Sequence, residues 1–238
     1  METLFLVLLS ILCYVIAGTI HELGHVLTGL YMGFKFELFV VGPFGLKRNS
    51  EDRIVFYFEK KISLWGGISA TSPVDVSQDN YKKFSRILLG GPMFSIVSGI
   101  IIFPLGILSD GKVLSILGAM LISMGVMCLM PLRNGAFYTD GGRWLRMNRN
   151  ESTKAVEVSI WNLVQNSTIN QSCADLNMGD ITLLVNDPDV RTKYVGHYYA
   201  YYYYKDNMQT KGQAIEKNEL EKLKNQVTKQ MVSIYRLD

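Results

Sequence analysis

Residues 17–29 read AGTIHELGHVLTG. Two histidines and a glutamate stand there inside a run that is otherwise apolar from Leu4 to Met32. An ionisable side chain in hydrocarbon is costly, and such residues mark functional sites rather than packing. His21 and His25 are four residues apart, so on a helix they share one face. Two imidazoles so placed hold one zinc ion, and Glu22 beside them is positioned as a general base toward water. A catalytic zinc takes three protein ligands and keeps a further position open, so a third ligand must come from elsewhere.

The fold follows from the length of that run. A membrane-spanning helix needs about 20 mostly apolar residues. Three stretches meet the requirement: about 4–32, 87–108 and 113–132. Only Ser109-Asp110-Gly111-Lys112 separates the second from the third, which predicts a tight helical hairpin. A cleaved leader is a poor alternative for the first stretch. No Lys or Arg precedes it, and the apolar run continues past His25. The chain has 238 residues, of which 48% are hydrophobic. Its mean hydropathy is +0.14, the value expected when a membrane part is averaged with a polar part. A net charge of +3 gives no reason to expect a nucleic-acid partner. Cys13, Cys128 and Cys173 are odd in number and far apart, and read as buried thiols rather than a disulfide framework.

Basic residues set the expected orientation. Lys35, Lys47, Arg48, Arg53, Lys60 and Lys61 lie between the first two spans; Lys82, Lys83 and Arg86 precede the second. Arg133, Arg143, Arg146 and Arg149 follow the third, while the opposite side carries Lys112 alone. The N-terminus is therefore expected outside, with 34–86 and everything after about 133 in the cytoplasm. That places Asp140, in FYTDGGRW, on the same side as the HELGH end of the first span and makes it the best third ligand. Asp110 falls on the wrong side; Asp75 and Asp79 stay open as alternatives in a polar loop.

Between the first two spans, FKFELFVVGPFGLKRN and DRIVFYFEKKISLWGGISATSP alternate and are broken by Gly42-Pro43, Gly45 and Gly66-Gly67. They predict short strands at the membrane surface, a β-hairpin region over about 34–73. After about Asn148 the composition turns polar and helical. Val156, Ile160, Leu163 and Val164 share a helix face, Asp187 with Pro188 reads as a helix start, and Leu220, Leu223, Val227, Met231 and Ile234 mark a last amphipathic helix. The tyrosines from Tyr198 to Tyr204 read as helix packing, His197 as an ordinary histidine, and EKNELEKLKNQ as a solvated face. The expected architecture is a polytopic α-helical membrane protein. A core (1–147) with three transmembrane helices and a membrane-associated β region precedes a small, mainly helical cytoplasmic domain (148–238).

HELGH in a first core span, Gly-Pro at the head of the next and Asp-Gly after the last resemble the site-2 protease family of zinc intramembrane metalloproteases. The resemblance covers about residues 1–147. It implies one zinc ion held by His21, His25 and Asp140, with Glu22 as the base. GGPMFS (90–95) resembles the family's Gly-Pro motif, with Ser95 where Asn is typical, and GGISATSP (66–73) resembles the stretch closing the family's membrane-dipping β-hairpin. Ser95, Gly91, Gly67 and Asn134 are the implied substrate-binding residues. Two departures stand out. Eight residues rather than four separate Pro131 from Asp140, and Cys128 occupies the position of the motif's Asn, with Asn134 as the substitute amide. The implied partners are a membrane-spanning or signal-like peptide substrate and the lipid bilayer. Two other functions fit parts of this pattern: an idle relative that binds membrane peptides as a scaffold, and a metal transporter. Glu22, useful only for catalysis, speaks against the first. The absence of a polar ladder in the other spans speaks against the second.

Overall fold

The computed structural model describes residues 2–49, 51–75, 77, 79–134, 137–149 and 151–237. They form two compact units, one of residues 1–74 with 82–131 and the other of 75–81 with 132–238.

The first unit is built on three long helices: α1 (Glu2–Tyr31), α2 (Asn80–Leu108) and α3 (Lys112–Leu129). All three are long and apolar enough to cross a membrane by length and composition. At about 1.5 Å per residue, the 18 residues of α3 extend roughly 27 Å, close to the thickness of a hydrocarbon core. Along α1, Leu4, Phe5, Leu8, Ile11, Leu12 and Leu27 face outward, whereas Leu9, Cys13 and Ala17 are buried against Leu117 and Leu121 of α3. An outward apolar majority with a narrow buried seam is what a helix surrounded by lipid requires.

The expected helical hairpin is present. α2 ends at Leu108 and α3 begins at Lys112, with Asp110 at a φ of 49° in the turn and the Gly111 amide donating to Gly106 O at 2.9 Å. The two helices pack backbone against backbone at glycines. A Cβ on Gly118 would meet the main chain of Phe103, one on Gly125 the carbonyl of Pro92, and one on Gly99 the carbonyl of Gly118.

The β region is a four-stranded antiparallel sheet ordered β3-β2-β1-β4, from β1 (Lys35–Val41), β2 (Phe44–Arg48), β3 (Ile54–Phe58) and β4 (Ile68–Ser72). Gly42, at a φ of 58°, supplies the left-handed residue of the β1–β2 turn that a side chain would disfavour. Val41 pairs with Phe44 and Val40 with Gly45. Period-two alternation leaves Phe44, Leu46, Ile54, Phe56 and Phe58 exposed. Phe44, Phe56 and Phe58 stack there with ring centroids 5.2–6.2 Å apart.

The second unit is a helical assembly: α4 (Asp140–Asn148), α5 (Glu151–Asn170), α6 (Met178–Val185), α7 (Val190–Asp206), α8 (Thr210–Leu223) and α9 (Lys229–Ile234). A two-rung ladder of β5 (Arg133–Asn134) and β6 (Phe137–Tyr138) precedes them. Val156, Leu163, Ile181, Leu184, Tyr194, Tyr199, Tyr201, Leu220 and Met231 make its core. The tyrosines pack in it, and burial, with Tyr235 second, pushes the Tyr199 hydroxyl above its ordinary range. Two local expectations need correction. The cap of α7 is Asp189, whose side chain accepts from the Arg191 amide, while Asp187 accepts from the Asp189 amide in the turn before it. The helix expected through 220–234 is broken, since Thr228 turns the chain and caps a separate α9. Glu157 is buried and answered by Arg146 at 2.7 Å and Arg143 at 3.6 Å. Burial pulls the Arg146 guanidinium down, but its bond and attraction to Glu157 outweigh this and hold it above its usual range.

Candidate metal centre

The HELGH stretch is continuous helix, so His21 and His25 do share a face of α1, with ring centroids 5.0 Å apart and edge-to-face. His21 is buried and its Nδ1 lies 3.1 Å from the Ser95 hydroxyl of α2. Ser95 is itself fully buried. His25 Nδ1 lies 2.8 Å from the Ile87 carbonyl and 3.3 Å from the Gly91 amide. One nitrogen cannot donate to the first and accept from the second. A carbonyl can only accept, and it is the nearer group, so Nδ1 carries the proton and the Gly91 amide is a packing neighbour. In a neutral ring this leaves the Nε2 lone pair as the one able to coordinate a metal. Outer partners fix the tautomer of metal-binding histidines in this way. The Ile87 carbonyl lies one turn before Pro92, and that proline has no amide to offer Leu88, so the helical ladder is already loosened there.

Glycines bring α1 and α2 close enough for these contacts. A Cβ on Gly24 would lie 2.6 Å from the Gly90 carbonyl and 2.9 Å from the Gly91 Cα. Any side chain at Gly91 would overlap the His25 ring.

Glu22 is held from the other side. Ser69 of β4 donates its hydroxyl to Glu22 Oε2 at 2.5 Å. Gly67, at a φ of 110°, approaches so closely that a Cβ there would stand 3.0 Å from Glu22 Oε1. Thr71 packs on Gly29, so β4 runs along α1 past the glutamate. β4 pairs with β1 alone, which makes it an edge strand among the described residues.

The first unit thus gathers His21, Glu22, His25, Gly67, Gly91 and Ser95. Asp140 is the first residue of α4 in the second unit, where Thr139 caps the helix by accepting from the Gly142 amide. The backbone of Asn134 pairs with Phe137, and its side chain lies outside the described residues. Ser69 and the Ile87 carbonyl were not read as site groups from the sequence. Ser69 lies in the quoted GGISATSP stretch, and a main-chain carbonyl leaves no trace in a sequence. Cys128 is a further addition: its Sγ lies within 4.8 Å of a ring nitrogen of His21.

The donor set suits zinc. Two imidazoles have their Nδ1 atoms engaged, and a carboxylate one residue from the first is held by a hydroxyl rather than by a cation. The family model for peptidase family M50 matches residues 7–235. The chain belongs to peptidase family M50. This is the site-2 protease family, a family of membrane metalloproteases, and the match extends through the second unit. No curated protein and no solved structure matches the chain significantly.

Proposed function

We propose that this M50 peptidase is a zinc-dependent intramembrane endopeptidase that cleaves transmembrane or signal-like peptides near the cytoplasmic side of the membrane. The observation that carries the reading is a pair of histidines in an apolar span, each anchored at Nδ1, beside a glutamate positioned by an edge strand. His21 and His25 would hold the ion, with Asp140 as third ligand by the family's Asp-Gly pattern. Zinc, when bound, supplies Lewis acidity toward water and the scissile carbonyl.

The chain's own groups do the rest. Glu22 takes a proton from the attacking water and delivers it to the leaving amine. Ser69 holds Oε2 and Gly67 flanks Oε1, so the carboxylate keeps one orientation through both transfers. A helical peptide bond is shielded by its own turn, so substrate must be extended at the site. The open edge of β4, which passes Glu22, offers main-chain pairing to such a segment. Ser95 acts by holding His21, Gly91 by leaving room for the His25 ring, and Gly67 by letting backbone approach Glu22. The exposed face of Phe44, Leu46, Ile54, Phe56 and Phe58 suits the lipid interface. The excess of Lys and Arg places the N-terminus outside and the second unit in the cytoplasm.

Terminus-resolved mass spectrometry of membrane and released peptides would test this, comparing cells carrying the protein with cells carrying Glu22→Gln. Peptides ending inside a membrane span should appear only with the unaltered protein. Equal peptide sets from both, with zinc bound to each purified form, would sink the reading.

A further inference from the structure

We infer that the Cys128 thiolate is a ligand of the metal held by His21 and His25. The inference rests on the reading of those histidines as ligands and goes beyond it. Cys128 is the penultimate residue of α3 and lies in the same compact unit as both histidines. Its Sγ stands within 4.8 Å of a His21 ring nitrogen, while His25, one helical turn on, lies outside that group of ligand atoms. Ligands about 2.1 Å and 2.3 Å from a tetrahedral zinc are roughly 3.6 Å apart. Closing the difference takes about 1 Å, which is within reach of a rotation about χ1 at the end of a helix.

The other cysteines give the contrast. Cys13 is buried in the α1–α3 seam with its thiol 3.9 Å from the Val113 carbonyl. Cys173 sits in the second unit, its amide donating to Asp206. Neither belongs to a cluster of metal-ligating side chains among the described residues. The chemistry also favours Cys128. Cys128 stands where the family resemblance implies Asn, and a neutral amide is a poor zinc ligand. A thiolate is among the best, and zinc binding displaces the thiol proton to solvent. His21 and Cys128 then give two borderline or soft donors from one unit. With a thiolate in the coordination shell, the position that water needs is contested, so substrate hydrolysis requires the sulfur to step aside.

The test uses the full chain in detergent micelles, stripped of metal and loaded with Co(II). The unaltered protein should show the d–d bands of a tetrahedral site together with a sulfur-to-cobalt charge-transfer band in the near ultraviolet. Cys128→Ser should lose the charge-transfer band while keeping bound cobalt; Cys13→Ser and Cys173→Ser should keep both. X-ray absorption of the zinc-loaded unaltered protein should show a sulfur neighbour, a readout that needs no variant to fold. Cobalt bound with d–d bands and no sulfur signal would overturn the ligand assignment and leave the histidine site standing. Retention of the sulfur band in Cys128→Ser would overturn it as well. Failure to bind cobalt at all, or binding unaffected by His21→Ala, would overturn the histidine reading itself.

Discussion

Two buried histidines, one in each unit, have opposite characters. His21 is 6% exposed and His197 is 7% exposed, so burial does not separate them. Their partners do. His21 Nδ1 meets the neutral hydroxyl of Ser95 at 3.1 Å, and His25, one turn on, meets a main-chain carbonyl. His197 Nδ1 meets the carboxylate of Glu216 at 2.6 Å. A neutral partner orients an imidazole without claiming its charge, which is compatible with the metal-binding role proposed for His21 and His25. A carboxylate partner joins the ring to a packed interior as a structural pair between α7 and α8. The buried charge of the second unit follows the same pattern, with Glu157 answered by two arginines. His21 and Glu22 in the first unit thus meet neutral hydroxyls, whereas His197 and Glu157 in the second meet ionisable partners.

The largest effect should come from the ligands. His21→Ala should weaken metal binding by more than about 100-fold, beyond the 10–100-fold typical of losing an outer partner. His197→Ala should leave it unchanged. Metal content and competitive chelation read both, and equal losses would break the contrast. Ser95→Ala should cost about 10–100-fold in metal affinity through the untethered His21 ring, with the unfolding of the second unit unaffected. The reverse holds for Glu157→Ala. It removes the buried carboxylate that answers two arginines and should destabilise the second unit by about 2–4 kcal/mol in denaturant unfolding, with metal affinity retained. His197→Ala should destabilise the same unit by about 1–3 kcal/mol by leaving Glu216 without its partner.

The smallest effect is chemical. Burial, with Asp206 second, pushes the Cys173 thiol up to about 11. Because the thiolate is the nucleophile, Cys173 should be alkylated about 100-fold more slowly than an ordinary cysteine at neutral pH, with a rate that climbs until about pH 11. Mass-spectrometric labelling of the folded protein reads this, and prompt labelling at neutral pH would show that the site is not buried.

What the sequence made legible follows its periodicities. Twenty-residue apolar runs gave the three long helices, alternation gave the strands, and a four-residue spacing put His21 and His25 on one face. Local chemistry misled by small steps. Asp187 and Asp189 are both good caps two residues apart, and only the turn geometry chose the second. Apolar residues kept helical spacing from Leu220 to Ile234, while Thr228 interrupted the backbone beneath them. The long-range pairings were not readable at all. Ser69 with Glu22, His197 with Glu216 and Cys128 with His21 join residues that no local pattern connects, and folding alone brings each pair together. Ser95 was reachable only through its position in a Gly-Pro motif.

The glycines between α2 and α3 carry a consequence of their own. Gly99, Gly118 and Gly125 each lie against opposing main chain, with Ile122 and Ile96 side chains beside the first and last, so the helices approach there as closely as backbone allows. A side chain at any of the three would wedge the hairpin open and move the helix that carries Ser95 and Ile87.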